Sequence, residues 1–122
     1  MTRRRVVITG LGIVSPVGNT VEEAWQNILA GRSGIAHVTK FDASTFPAQI
    51  AGEVKNFDIT DYISAKDARR MDTFIHFGMA AGIQAVRDAG LDKENAADLE
   101  RVGVAIGSGI GGLPLIEETK EE

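Results

Sequence analysis

Hydrophobic and polar positions follow two patterns along the chain: continuous apolar runs and segments with helical spacing. Residues 5–14 are rich in Val and Ile, contain glycines and lack a 3.6-residue period, which predicts a buried strand covered on both faces. Residues 101–106 form a second apolar run that also predicts a strand. Because segments with helical spacing lie between these runs, the pattern indicates an α/β protein.

Capping residues mark the first helix. Thr20 and Glu23 have the spacing of a capping box, which predicts a helix through Ala30. Residues 32–61 follow a looser pattern, which predicts an irregular excursion with short strand-like pieces around residues 48–54.

The clearest helix is predicted from Asp72 to Ala89, with Gly90 as its C-terminal stop. Its apolar residues spread around nearly the whole circumference, so we expect its N-terminal two-thirds to be buried on most sides. Gly78 and Gly82 lie inside this helix, where each costs roughly 1 kcal/mol relative to Ala. We therefore expect another backbone to approach the helix closely at these glycines.

Another helix is predicted to begin after Gly112, in an apolar stretch followed by acidic residues, and the chain ends inside it. A buried strand, a buried helix and an interrupted helix all need packing partners. We therefore expect the 122 residues to be a segment of a longer α/β protein.

Composition narrows the class of protein. With 43% hydrophobic and 25% charged residues, the chain is typical of a soluble globular domain. Its longest apolar runs are far shorter than the roughly 20 residues of a membrane helix, and the run after the N-terminal arginines is too short for a signal peptide. We therefore expect a cytoplasmic protein without a membrane partner.

Charge and residue counts exclude several chemistries. The net charge of -4 argues against general affinity for nucleic acid. The absence of cysteine excludes disulfides, thiolate zinc sites and a cysteine nucleophile within these residues. With only His37 and His76 available, a histidine-based metal site is not expected, and His76 is predicted to be a hydrogen-bonded core or interface residue.

A glycine-rich loop is the most distinctive local motif. Gly107, Gly109 and Gly112 match G-x-G-x-x-G after the second apolar run. A dinucleotide site also needs an acidic residue on a later strand, and the chain ends before that position. A structural turn or a loop of a non-nucleotide pocket is the favoured interpretation, and a nucleotide-binding α/β domain remains an alternative.

Four stretches together carry a family resemblance. They are VVITGLGIVSPVGNTVEEAW at 6–25, SGI at 33–35, SAKDARRMD at 64–72 and VAIGSGIGG at 104–112. In this order they resemble the N-terminal part of the β-ketoacyl-acyl-carrier-protein synthases, most closely those of type II fatty-acid elongation. The resemblance covers essentially the whole chain, so residues 1–122 are expected to form part of an N-terminal domain.

The resemblance implies a thiolase-like fold, an αβαβα layered sandwich that is incomplete in this chain and usually forms a homodimer. The implied activity is that of an acyltransferase, which extends an acyl chain by decarboxylative Claisen condensation with malonyl-acyl carrier protein. No cofactor is implied. The family's catalytic cysteine and two histidines match no position of this sequence, so this chain is expected to contain no catalytic residue and to be inactive alone.

The resemblance also assigns roles to two groups of residues. Ile110, preceded by Gly109, corresponds to the acyl pocket, where the side chain limits the length of the acyl chain. Lys66, Arg69 and Arg70 correspond to the patch that receives the acidic acyl carrier protein.

Three alternatives stay open at the level of sequence. These residues do not exclude a ketosynthase domain of a polyketide pathway. If the short chain is the natural product, a stand-alone carrier-protein-binding or interaction module is the alternative, and the basic residues could form an ordinary solvated face.

Overall fold

The structure, a computed structural model, describes residues 3–91 and 99–121. Its helices are α1 (Val21–Leu29), α2 (Ala65–Ala68), α3 (Thr73–Asp88) and α4 (Leu113–Glu121), and its strands are β1 (Ile35–His37) and β2 (Ile50–Gly52). Short 3-10 turns occur at Ile59–Asp61 and Leu99–Arg101. The chain forms two compact units: one consists of Ile13–Asp58, and the second combines Met1–Gly12 with Ile59–Glu122.

The capping box of α1 is confirmed in the first of these units. The Thr20 side chain accepts a hydrogen bond from the Glu23 N–H at 3.2 Å. The Glu23 carboxylate reaches back to the Asn19 N–H at 2.8 Å, one residue before the cap. Both bonds satisfy backbone donors near the helix start, which is why this helix could be predicted from local spacing.

A small antiparallel hairpin occupies the predicted irregular excursion. Ile35 pairs with Gly52 and His37 with Ile50. The strand-like pieces predicted near residue 50 are confirmed by β2, whereas β1 was not predicted. A three-residue strand that is exposed throughout carries no alternating pattern by which it could be recognised.

Beyond the hairpin, Glu53 tethers Thr39. The Thr39 hydroxyl donates to the Glu53 carboxylate at 2.7 Å, and the Thr39 N–H donates to it as well. These two hydrogen bonds hold the pKa of the Glu53 carboxyl below its ordinary value.

The predicted long helix is confirmed in the second unit as α3. Asp72 is its N-cap, with a side chain that accepts from the Thr73 N–H at 2.6 Å, and Ala89 is its C-cap. Gly90 follows with φ of 66°, the left-handed conformation that ends helices and favours glycine. The prediction of burial on most sides was too strong, because only Ala80 is fully buried and the neighbouring residues of the helix are half-buried.

Close backbone approach to α3 occurs at Gly10 and Gly12. A Cβ on Gly10 would overlap the Ala85 carbonyl, and one on Gly12 would overlap the Ala81 carbonyl. Between them, the Leu11 N–H donates to the Asp88 carboxylate at 2.9 Å. The N-terminal segment therefore lies directly on the helix backbone.

The expected backbone approach at Gly78 and Gly82 is wrong. A Cβ at these positions would lie 3.6 and 3.8 Å from methyl groups of Ile106, which are ordinary van der Waals distances to a side chain. The tight contacts belong instead to glycines on the segment that meets the helix.

The two predicted strands at residues 5–14 and 101–106 are not formed in the described part of the chain. Val6 is 92% exposed and Val104 is 81% exposed, so the predicted cover on both faces is also absent there. A strand needs a hydrogen-bonded neighbour, and the only sheet in the described residues is the β1–β2 hairpin. None of the helices within residues 3–91 and 99–121 has the length and apolarity to cross a membrane.

Replacing Gly12 with alanine is expected to destabilise the full-length protein by about 1–3 kcal/mol, because the new methyl group overlaps the Ala81 carbonyl. Urea unfolding measures the loss. Gly103→Ala is the matched control, since its Cβ would meet nothing within 4 Å among the described residues. Equal midpoints for the two variants would contradict the close approach.

Candidate functional site

An apolar cavity of about 360 Å³ lies between α3 and the segment that leads into the glycine loop. Phe74, Ile75, Gly78 and Met79 of α3 line one side, and residues 106–108 line the other. Cavities that bind small ligands begin at about this size and are mostly apolar. The cavity can therefore accommodate a hydrocarbon group but offers few polar contacts.

Ile110 follows the last lining residue of this cavity, Ser108, by two positions along the chain. Its side chain is 76% exposed, and neither Ile110 nor Gly109 is among the residues that line the cavity. A Cβ at Gly109 would meet nothing within 4 Å among the described residues. The assignment of Gly109 and Ile110 to an acyl pocket stays a prediction.

The second half of the loop contacts the first turn of α3. Gly111 has φ of 82°, and a Cβ on it would lie 3.5 Å from the Phe74 ring. Gly112 lies against the Asp72 carboxylate so closely that a Cβ would overlap one of its oxygens. The loop that carries Ile110 is thus placed by the same turn of α3 that contributes Phe74 to the cavity.

Lys66, Arg69 and Arg70 form an exposed cationic face on α2 and the residues that follow it. Their spacing of three and four residues puts them on one side of a helical turn. All three side chains are exposed in the part of the chain that the structure describes. This cationic face is therefore available to an acidic partner, which agrees with the sequence prediction without testing it.

Local hydrogen bonds hold the cationic face in place. Ser64 caps α2 by accepting a hydrogen bond from the Asp67 N–H at 3.1 Å. His76 of α3 reaches the Ala68 carbonyl at 2.9 Å, and because a carbonyl only accepts, Nε2 carries the proton. The predicted hydrogen bond of His76 is confirmed, and it fixes the end of α2 to α3.

Sequence reasoning missed Phe74 and the pairing of Asp72 with Gly112. Asp72 lies within the motif SAKDARRMD, but nothing in the sequence connects it to the distant loop. The only available signal was the run of two glycines at 111 and 112, which is typical of a backbone that must pass close to another group.

Comparison with known proteins supplies the family. Residues 3–122 match the model of the beta-ketoacyl synthase N-terminal domain. The chain belongs to the beta-ketoacyl synthase family. It is 61% identical over 119 residues to the 3-oxoacyl-[acyl-carrier-protein] synthase 2 of Vibrio harveyi and 46% identical over 118 residues to that of Synechocystis. These alignments cover 96% and 97% of the chain and 28% of each relative.

A solved ketosynthase has the same fold in this region. The ishigamide ketosynthase/chain length factor is 38% identical, with a TM-score of 0.66 over 76% of this chain and 23% of its own. The beta-ketoacyl synthase assignment therefore confirms the predicted fold class, an α/β segment of a thiolase-like fold. The chain spans only about a quarter of the relatives and neighbours that it matches.

Proposed function

We propose that this chain is the N-terminal part of a condensing enzyme of fatty-acid biosynthesis. The observation that carries the proposal is the similarity, along nearly the whole chain, to relatives named 3-oxoacyl-[acyl-carrier-protein] synthase 2. On this proposal residues 1–122 are part of one N-terminal thiolase-like domain, and the whole protein is a cytoplasmic homodimer.

The proposed reaction is a decarboxylative condensation. An acyl group is held as a thioester on an enzyme cysteine, and malonyl-acyl carrier protein loses carbon dioxide to give a carbanion. The carbanion attacks the thioester carbonyl, a carbon–carbon bond forms, and the cysteine thiolate leaves. Since this chain contains no cysteine, the nucleophile must belong to residues outside it.

The chain's own contribution is binding rather than bond making. The cationic face of Lys66, Arg69 and Arg70 is proposed to receive the acidic acyl carrier protein, and complementary charge speeds such an encounter. Ile110 is proposed to limit the length of the acyl chain that enters the site, with Gly109 leaving its backbone free to move.

A nucleotide-binding role for the glycine loop is disfavoured by charge. Gly112 would be the third glycine of the fingerprint, and it lies against the Asp72 carboxylate. A pyrophosphate at that loop would meet a like charge at close range, which opposes binding.

A polyketide ketosynthase is the second candidate, favoured by the similarity to the ishigamide ketosynthase/chain length factor. The two candidates differ in the acyl group that is extended. A full-length enzyme that accepts only 3-oxo intermediates and no saturated acyl donor would favour the polyketide role.

Isolated residues 1–122 are expected to produce no 3-oxoacyl product from an acyl donor and malonyl-acyl carrier protein, whereas the full-length protein elongates the same donor. Mass spectrometry of the carrier-bound products measures both. Elongation by the isolated segment would refute the proposal that residues 1–122 contribute binding and that the nucleophile lies outside them. A full-length protein that elongates no acyl donor would refute the proposed function.

A further inference from the structure

The two carboxylate oxygens of Asp72 have different surroundings. Oδ1 accepts from the Thr73 N–H at 2.6 Å and so caps α3. Oδ2 is buried, and among residues 3–91 and 99–121 it has no hydrogen-bond partner. A buried acceptor without a donor is costly, so its presence calls for a physical explanation.

Gly112 is the group that covers this oxygen. A Cβ on Gly112 would overlap Oδ2 and would lie 3.1 Å from the Asp72 Cβ. Gly112 is not among the residues with positive φ, so glycine is required here by space and not by backbone conformation. The carboxylate therefore limits how closely the loop can approach α3.

A second contact, between Gly111 and Phe74, involves the same first turn of α3. Gly111 lies against the Phe74 ring, and Phe74 also lines the apolar cavity. Because Ile110 directly precedes these two glycines, any displacement of Gly112 from Asp72 moves the backbone that carries Ile110.

We propose that Asp72 is a positioning residue for the glycine loop. Its contact with Gly112 sets how long an acyl chain can pass Ile110, the side chain that acts as the gate of the acyl pocket. Asp72 touches no substrate in this proposal and acts through the loop. The proposal rests on the proposed function, because the gate is part of it.

The test is a double-mutant cycle in the full-length protein with Gly112→Ala, Asp72→Ser and their combination. Serine can still cap a helix and lacks the carboxylate oxygen that the new methyl group would overlap. Its Oγ takes the place of the Asp72 Cγ, which the methyl group would also overlap, so the serine makes room by turning its hydroxyl to another rotamer. The readout is the ratio of kcat/KM for a long acyl donor to that for a short one. We expect each single change to shift this ratio about tenfold, and the double variant to return within about threefold of the native ratio.

A Gly103→Ala variant serves as the matched control, because its Cβ would meet nothing within 4 Å among the described residues. Additive effects of the two changes, equal losses for all chain lengths, or the same shift in the control would overturn the proposal. If Gly112→Ala does not fold, recovery of folded protein in the double variant supports the contact and failure to recover overturns it.

Ile110→Phe, assayed beside these variants, separates the proposed gate role of Ile110 from the proposed positioning role of Asp72. If Ile110→Phe changes the length ratio and the cycle does not, the positioning role fails and the gate stands. If Ile110→Phe changes no ratio, the gate fails, and non-additive thermal midpoints of the cycle then decide whether Asp72 holds the loop.

Discussion

Ile110→Phe in the full-length protein is expected to lower kcat/KM for long acyl donors by about 10- to 100-fold and to change that for short donors by less than about threefold. The phenyl ring fills space that the distal part of a long chain needs, whereas a short chain ends before it. Competition between long and short acyl-carrier substrates, followed by mass spectrometry of the products, measures the ratio directly.

Ile35→Phe is the matched control for the gate variant. Ile35 is an exposed isoleucine of β1, so it tests the effect of the same substitution at a position outside the glycine loop. An equal loss for all chain lengths in Ile110→Phe would indicate general disturbance of the loop and would refute the gate.

Combined charge reversal of Lys66 and Arg69 to glutamate is expected to slow association with acyl carrier protein about tenfold or more at low salt. Both side chains are exposed, so the reversal acts on the long-range approach of an acidic partner. The difference from the native protein should shrink as salt screens the charges. Stopped-flow association over a range of ionic strengths measures both effects.

Arg32 and Lys55, reversed together, provide the control with the same change in net charge at exposed positions of the other unit. Equal slowing by both pairs would mean that overall charge and not the cationic face attracts the carrier. Unchanged association in the Lys66 and Arg69 variant would remove the carrier assignment altogether.

Features that depend on a few neighbouring residues could be predicted well. The capping box at Thr20 and Glu23 joins a side chain to a backbone N–H three residues away, so its spacing is visible in the sequence. The same locality made the ends of α3 predictable, because Gly90 adopts the left-handed conformation that glycine favours.

Features that depend on distant partners could not be predicted. The apolar runs at residues 5–14 and 101–106 have strand composition, yet strand formation depends on a hydrogen-bonded neighbour that the composition does not specify. Similarly, the glycines inside α3 suggested the wrong place for close backbone approach, because the contact is decided by the segment that crosses the helix.

By itself, the sequence determined the helices, the cationic face and the family, since caps, helical spacing and ordered motifs are all carried by residues close in the chain. Only the tertiary structure decided that Asp72 lies against Gly112 and that Gly12 lies against the backbone of α3. Such contacts arise when two distant segments meet, and their cost or benefit depends on the space between backbones, which no local pattern of residues encodes.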